Sequence, residues 1–205
     1  MSFFDFLEKG GPLMFAVGTV SLVAVTVFLE RLYGLARTRV MPPDFTRTLL
    51  KLLSQGEHTQ AETACLQSDS AISSIAFVAL KHRGKSRQDL KEVTNEKGAL
   101  ELSRLERGVG VVGTMATIAP LLGLLGTVTG MIQVFRKIAE ETDPQIDVLA
   151  GGIWEALVST GAGLTVAIPC YVAYRYLLAR VDKIGNQLEE TTIDIIDALD
   201  QNRAS

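Results

Sequence analysis

The chain has 205 residues, of which 47% are hydrophobic and 21% are charged, and its formal net charge at pH 7 is −3. With an isoelectric point near 5.5, it offers no electrostatic basis for binding nucleic acid. A mean hydropathy of +0.25 is higher than an ordinary soluble domain would show, and it indicates a membrane protein.

Three apolar blocks contain most of the hydrophobic excess, at residues 13–29, 109–135 and 146–178. A helix of about 20 residues crosses the roughly 30 Å of bilayer hydrocarbon, so each block is able to span a membrane. The second and third blocks are longer than a span requires and should extend beyond the bilayer. Because no strand-like alternation is evident, we predict an all-α integral membrane protein with three transmembrane helices and long cytoplasmic helical extensions.

Basic residues flank the blocks on the sides that we assign to the cytoplasm. Arg31, Arg37 and Arg39 follow the first block, Arg104 and Arg107 precede the second, and a further basic group follows the third. Positive residues mark the cytoplasmic ends of membrane spans. We therefore expect the amino terminus in the periplasm and the carboxyl terminus in the cytoplasm, with the acidic loop between the second and third blocks outside.

The predicted organisation has seven segments. In chain order they are a short periplasmic amino-terminal segment (1–12), the first transmembrane helix (13–31), a cytoplasmic helical region (32–108), the second transmembrane helix (109–135), a periplasmic loop (136–147), the third transmembrane helix (148–178) and a cytoplasmic carboxyl-terminal helix (179–205). Apolar residues after the third span recur at steps close to three and four, which predicts a helix that packs against partner helices. They are Val181, Ile184, Leu188, Ile195 and Leu199.

A long helix is predicted to lead into the second span. Ser86 followed by Asp89 has the form of a capping box, and no strong helix breaker follows before Pro120. We therefore expect one helix over residues 86–135. Lys97 and the glutamate four residues later should form an ion pair across one turn of its polar part.

The second block has a face of small and weakly polar residues. On a period of 3.6 residues, Pro120, Gly123, Thr127 and Gly130 fall on this face. Such a face lets another helix or a file of water come close. Pro120 removes one backbone hydrogen bond, so we expect a helix bend there, which is either functional or a simple packing kink.

The third block holds the one carboxylate in the interior of the three blocks, Glu155. Burying an ionised carboxylate in lipid costs several kcal/mol, so this group should face protein or water, or hold a proton. It is either an ion-path or partner-contact residue, or an interfacial acid whose side chain extends to water. A second small-residue face in this block consists of Gly152, Ala156, Thr160, Gly163 and Ala167.

Two threonines, Thr127 and Thr160, lie near mid-membrane on separate small-residue faces. If these faces meet, in one subunit or around a ring, they line a narrow passage with hydroxyl groups. Alternatively, each threonine bonds a carbonyl of its own helix and the small faces only pack helices. Hydroxyls do not titrate near neutral pH, so a proton path would need a titrating group from Glu155 or from another protein.

Other chemistry is poorly supported by the sequence. Residues 84–86 look like the end of a phosphate-binding loop, but Ala79 stands where that loop needs glycine, and no strand precedes it. No histidine lies near a membrane serine, so a plausible nucleophile and base are lacking and we do not expect an enzyme. We expect no bound cofactor either. Cys65 and Cys170 are too few and too separated for a metal site, and we interpret both as small core residues.

The segments APLLGLLGTVTGMI and GGIWEALVSTGAGLTVAIP resemble the MotA/TolQ/ExbB proton-channel family, and more closely its TolQ/ExbB branch. The resemblance extends over most of the chain. The flagellar MotA branch typically has four spans, whereas this chain offers three. That difference argues against a flagellar role.

The resemblance implies a multi-pass motor subunit of the bacterial inner membrane. It implies a homo-oligomeric ring, commonly a pentamer, around the transmembrane helices of an ExbD/TolR-like single-span partner, with a TonB/TolA-like protein as one possible recipient of the work. The partner would carry the titratable aspartate, and proton flow would turn it within the ring. At matching positions, Thr127 and Thr160 would lie on the proton pathway, Glu155 would contact the partner or a neighbouring subunit, and Pro120 would be the bend.

A rival hypothesis belongs to a different class of protein. The chain could be a passive oligomeric membrane scaffold that uses its small-residue faces only for assembly and recruits a cytoplasmic partner through residues 44–107. On this hypothesis, bulky changes at Gly123 or Gly163 disturb assembly, while Thr127 and Glu155 tolerate substitution.

Overall fold

The computed structural model describes residues 11–140 and 146–204. These residues are almost entirely helical, and none of them forms a strand, which confirms the all-α prediction for the described part of the chain. Almost all of the predicted amino-terminal segment lies outside the described residues. The helices are α1 (Gly11–Gly34), α2 (Arg37–Val40), α3 (Pro43–Ser54), α4 (His58–Gln67), α5 (Ala71–Lys81), α6 (Arg87–Glu106), α7 (Val109–Glu140) and α8 (Ile146–Ala204).

Within the described residues, three helices are long and apolar enough to cross a membrane, as the hydropathy pattern predicts. They contain the stretches Leu13–Gly34, Val109–Glu140 and Ile146–Gln201. Helix α7 continues five residues beyond the predicted end of the second span, so residues 136–140 are helical and not part of a loop as predicted. The rest of the predicted loop up to residue 145 lies outside the described residues, and residues 146–147 already belong to α8. Helix α8 runs without interruption through the predicted boundary at residue 178, because the sequence after the span keeps the 3.6-residue period of an amphipathic helix.

The prediction of one helix over residues 86–135 is wrong, because α6 ends and α7 begins around Gly108. This glycine has φ +90°, a left-handed conformation that a helix cannot contain and that favours glycine. The carbonyl oxygen of Arg107 accepts a hydrogen bond from Nη1 of Arg31 at 2.7 Å. The start of the helix agrees with the prediction, since the Ser86 hydroxyl accepts from the Asp89 amide at 3.2 Å.

The chain divides into two compact units. The span unit comprises the described residues of Met1–Glu30 together with Gly108–Tyr176. The bundle unit comprises Arg31–Arg107 and the described residues of Leu177–Ser205. Helix α8 contributes residues to both units.

The bundle unit has an apolar core formed by its short helices, α6 and the second part of α8. Helix α5 packs against α4 and α6. The five apolar positions predicted to pack after the third span are all at most 5% exposed, which confirms that this part of α8 packs against other helices. Other large core side chains are Leu49, Leu53, Ile72, Ile75, Leu80 and Leu90.

A charged cluster lies in the bundle unit on α6. The carboxylate of Glu101 is buried, yet it lies 2.6 Å from Nζ of Lys97 and 3.1 Å from Nη1 of Arg104. The predicted ion pair across one turn is therefore present. Two cations are needed here because a buried carboxylate without partners would be strongly destabilising.

Candidate functional site in the span unit

Helices α7 and α8 contact each other through glycines. A Cβ atom added at Gly123 would lie 3.0 Å from both the carbonyl oxygen of Ser159 and Cα of Thr160. One added at Gly163 would lie 2.6 Å from the carbonyl oxygen of Ala119. Side chains at the two glycines would therefore force the backbones apart, and small residues permit this close approach of two membrane helices.

The same contact continues along both helices. A Cβ atom at Gly130 would lie 2.9 Å from Cβ of Ala156. A Cβ atom at Gly152 would lie 2.5 Å from Cγ2 of Val134. The two small-residue faces thus meet within one chain, which is one of the two arrangements left open by the sequence.

The hydroxyl of Thr160 makes a hydrogen bond across this contact. Its Oγ1 donates to the carbonyl oxygen of Gly123 at 2.9 Å, and the residue is half-buried. The absence of a side chain at Gly123 is what lets the two helices approach closely enough for this bond. The Thr160 oxygen keeps lone pairs with which it can accept a hydrogen bond from water or another donor.

The hydroxyl of Thr127 behaves differently. It donates to the carbonyl oxygen of Leu124 in its own helix, at 2.6 Å. This is the local bond that threonine commonly makes in membrane helices. The structure therefore brings Thr160 to the other helix, but it gives Thr127 no such partner among the described residues.

Glu155 lies on the exposed side of α8. The next residue, Ala156, is 3% exposed and faces α7, so the carboxylate points away from the glycine contact. No ion pair to Glu155 is present among the described residues. A carboxylate in this position is available to a group outside the chain.

Pro120 lies within α7, which continues on both sides of it. It is half-buried and next to Ala119, whose carbonyl oxygen faces Gly163. The helix bend stays a prediction.

Ala167, the last member of the second small-residue face, is 6% exposed on α8.

Helix α1 packs against the same pair of helices. Ala24 of α1 forms a buried cluster with Ala116 of α7 and Cys170 of α8. Near the other end of α1, Cδ1 of Leu13 lies 3.9 Å from the position of a Cβ atom at Gly126. All three spans therefore contribute to the core of the span unit.

Sequence reasoning missed two residues of this contact, Gly126 and Ser159. Both are buried where α7 and α8 meet. The signal for the glycine was present, since glycines at 123, 126 and 130 repeat at steps of three and four residues, as one helix face requires. For Ser159 the sequence offers no comparable signal, because a serine beside a threonine does not reveal which of them faces the neighbouring helix.

The described residues contain no group of three or more His, Cys, Asp or Glu side chains placed to hold a metal ion.

Many large apolar side chains of α7 and α8 are exposed in the single chain, including Leu121, Leu124, Ile132, Trp154, Leu157 and Ile168. In a membrane these faces contact lipid or other protein helices.

The fold and the site together define a class of multi-pass membrane protein: three spans, of which the last two pair through glycines with a threonine hydroxyl bonded between them. The profile of the MotA/TolQ/ExbB proton channel family matches residues 67–190, which is more than half of the chain. The chain belongs to this family.

Individual relatives agree with the ExbB-like branch of the family. A putative biopolymer transport protein ExbB homolog of Methanothermobacter thermautotrophicus is 28% identical over 90% of this chain and 66% of its own length. A putative biopolymer transport protein ExbB-like 1 of Synechocystis is 31% identical over 90% of this chain and 77% of its own length. The Tol-Pal system protein TolQ of Haemophilus influenzae is 38% identical over 45% of this chain and 42% of its own length.

Proposed function

We propose that this chain is a subunit of a motor of the inner membrane that is driven by the proton motive force. Membership of the proton channel family and the similarity to proteins named for biopolymer transport support this proposal. The observation that carries it is the Thr160 hydroxyl, which bonds the Gly123 carbonyl at 2.9 Å in the apolar interior of the span unit. The Thr160 hydroxyl can give up the Gly123 carbonyl and form a hydrogen bond with water or with a proton-carrying group instead.

The proposed complex is a ring of copies, commonly five in this family, around an ExbD/TolR-like single-span partner. The exposed apolar faces of α7 and α8 supply the surface for such an assembly, and Glu155 on the exposed side of α8 contacts the partner or a neighbouring copy. Hydroxyls do not titrate near neutral pH, and the family resemblance implies that the partner supplies the titrating carboxylate. The work passes to an envelope protein, of which a TonB/TolA-like protein is one example.

The proposed orientation follows from the charges. The amino terminus and the connection between α7 and α8 lie on the periplasmic side, and the bundle unit with the end of α8 lies in the cytoplasm. Thr127 and Thr160 lie along the proton pathway, with Pro120 as the bend in the second span. The local bond of Thr127 leaves its oxygen able to accept from water.

One observation favours the alternative function, a passive oligomeric scaffold. Both threonine hydroxyls already have carbonyl acceptors, and the glycine contacts account for helix packing without any ion. The two functions differ in what they require of the side chains. A scaffold needs the glycines, whereas a motor also needs the Thr160 hydroxyl and the Glu155 carboxylate.

The test compares variants of the complex of this chain with its partner in vesicles. Thr160→Val keeps the side-chain shape and removes the hydroxyl, and we expect proton flux to fall about tenfold, the effect of a barrier raised by about 1.4 kcal/mol. The matched control is Thr165→Val on the same helix, where the hydroxyl bonds only the local carbonyl of Gly161. Glu155→Gln should lower the flux as well, with assembly of the complex measured in parallel.

The outcome separates the two functions. Reduced flux in Thr160→Val and Glu155→Gln, with normal flux in Thr165→Val and normal assembly in all three, supports the motor. Unchanged flux in both site variants, in a complex whose wild-type activity is established, removes the proposed ion path and leaves the scaffold.

A further inference from the structure

Ser159 is the most deeply buried polar residue of the span unit among the described residues. It is 2% exposed, and its hydroxyl oxygen has no hydrogen-bond partner within the described residues. Leaving a buried hydroxyl without a partner costs free energy, so hydrogen bonding does not explain its placement. The proposed motor function makes no use of this residue.

The side chain of Ser159 instead occupies a notch in α7 at Gly126. A Cβ atom at Gly126 would overlap the Oγ atom of Ser159 and would lie 2.5 Å from its Cβ. Any side chain at residue 126 would therefore compete for the volume that Ser159 fills. The next residue in α8 is Thr160, whose hydroxyl reaches the carbonyl of Gly123, one turn before Gly126 in α7.

We infer that Ser159 is a positioning residue, which sits in the notch at Gly126 and sets the spacing and rotation of α7 and α8 that brings the Thr160 hydroxyl to the Gly123 carbonyl. Two neighbouring residues of α8 thus have complementary roles, since one fixes the geometry and the other makes the polar contact. Between membrane helices the close fit of small residues provides the association, so a single overlapping atom is enough to change the geometry. The consequence for ion flux rests on the proposed function, but the geometric role does not.

A side chain added at residue 126, with and without removal of the side chain at residue 159, tests the positioning role of Ser159 directly. Gly126→Ala should disturb the helix pair, because its new methyl group overlaps Ser159. Adding Ser159→Gly to the same chain vacates the notch and should restore the pair. The matched control is Gly161→Ala, where an added Cβ atom meets nothing within 4 Å.

The first readout is geometric and needs no ion. Cβ of Val134 lies 3.9 Å from the Cβ position of Gly152, which is within the range of a disulfide. With Cys65 and Cys170 replaced by alanine, Val134→Cys and Gly152→Cys should cross-link rapidly under oxidant. The cross-linking rate should fall about tenfold with Gly126→Ala, recover with the added Ser159→Gly, and stay unchanged with Gly161→Ala.

The second readout is proton flux in the complex with the partner. If the notch acts through the Thr160 hydroxyl, Thr160→Val should cause little further loss once Gly126→Ala is present, since coupled residues are not additive. Unchanged cross-linking in Gly126→Ala, or failure of Ser159→Gly to restore it, would overturn the positioning role. If cross-linking follows the expected order while Thr160→Val leaves the flux intact, the proposed ion path fails and the positioning role stands.

Discussion

The two threonines that are equivalent in the sequence pattern have different surroundings in the structure. Thr160 bonds across the helix pair, and Thr127 bonds within its own helix. Hydrogen bonds between membrane helices are worth about 0.6 to 2 kcal/mol. The contribution of each hydroxyl to the stability of the span unit should therefore differ.

We predict that Thr160→Val lowers the thermal unfolding temperature of the protein in detergent, because it removes a bond worth about 1 kcal/mol between α7 and α8. Thr127→Val should lower it less, since only a local bond is lost. Thr165→Val, which also loses a local bond, is the control. An equal effect of all three substitutions would argue against the special role of the Thr160 bond.

The thiol of Cys65 gives a prediction on pH. Burial, with a smaller effect from the nearby Glu62, raises the pKa of Cys65 from 9.0 to about 11. The folded state therefore holds this proton more tightly than the unfolded state, and the stability it contributes is present below pH 9 and is lost as the pH rises through about 11.

At pH 9 we expect alkylation of Cys65 in the folded protein to be at least tenfold slower than in the denatured protein, because each unit of pKa changes the thiolate fraction about tenfold. Mass spectrometry of the labelled peptide measures this rate. Equal alkylation rates in the folded and denatured protein would show that the Cys65 thiol is not buried and that its pKa is not raised.

At the scale of single elements, the break between α6 and α7 is the feature that the sequence predicts least well. The sequence around Arg107 and Gly108 shows no strong helix breaker, and membrane helices tolerate glycine, so the sequence favours one continuous helix. In the folded chain Gly108 is left-handed, and the carbonyl of the preceding residue, Arg107, accepts a hydrogen bond from Arg31. Hydropathy does not record such contacts.

We predict that Gly108→Ala destabilises the protein by about 1 to 2 kcal/mol, because a side chain in the left-handed region clashes with the backbone. Gly110→Ala is the matched control, since its added Cβ atom meets nothing within 4 Å. Thermal unfolding in detergent compares the two variants. An unfolding temperature for Gly108→Ala equal to that of the control would mean that the break is not a fixed feature of the fold.

The start of α5 offers a second test of an element. The Ser70 hydroxyl accepts from the Ser73 amide at 3.2 Å, and the Ser73 hydroxyl accepts from the Ser70 amide at 3.2 Å. Ser70→Ala removes this cap and should cost about 1 kcal/mol of stability in the bundle unit. Ser54→Ala, at the exposed end of α3, should cost less. Loss of stability that is equal in both variants would contradict the role of the cap.

At the scale of the whole molecule, the sequence predicts the spans well because hydrophobic length is a property of each segment alone. The sequence predicts the packing of the spans less well, because the rotation of one helix against another depends on the side chains of both helices. The small-residue faces were recognisable from their period, but the seating of Ser159 at Gly126 and the outward direction of Glu155 depend on the assembled pair.

The proposed topology is testable by labelling. In a protein without Cys65 and Cys170, Glu140→Cys should react with an impermeant maleimide added to the outside of intact cells from which the outer membrane has been removed. Gln88→Cys, on an exposed position of α6, should react only after permeabilisation. The opposite pattern would invert the proposed orientation.

We propose that this chain and a partner together carry protons across the membrane. The most direct test is proton flux into vesicles that contain the purified chain alone or in complex with a co-expressed ExbD/TolR-like partner. We predict little flux for the chain alone, because the glycine interface offers hydroxyls but no titrating group, and clear gradient-driven flux for the complex. A complex that assembles fully yet carries no more protons than empty vesicles would contradict the proposed motor function.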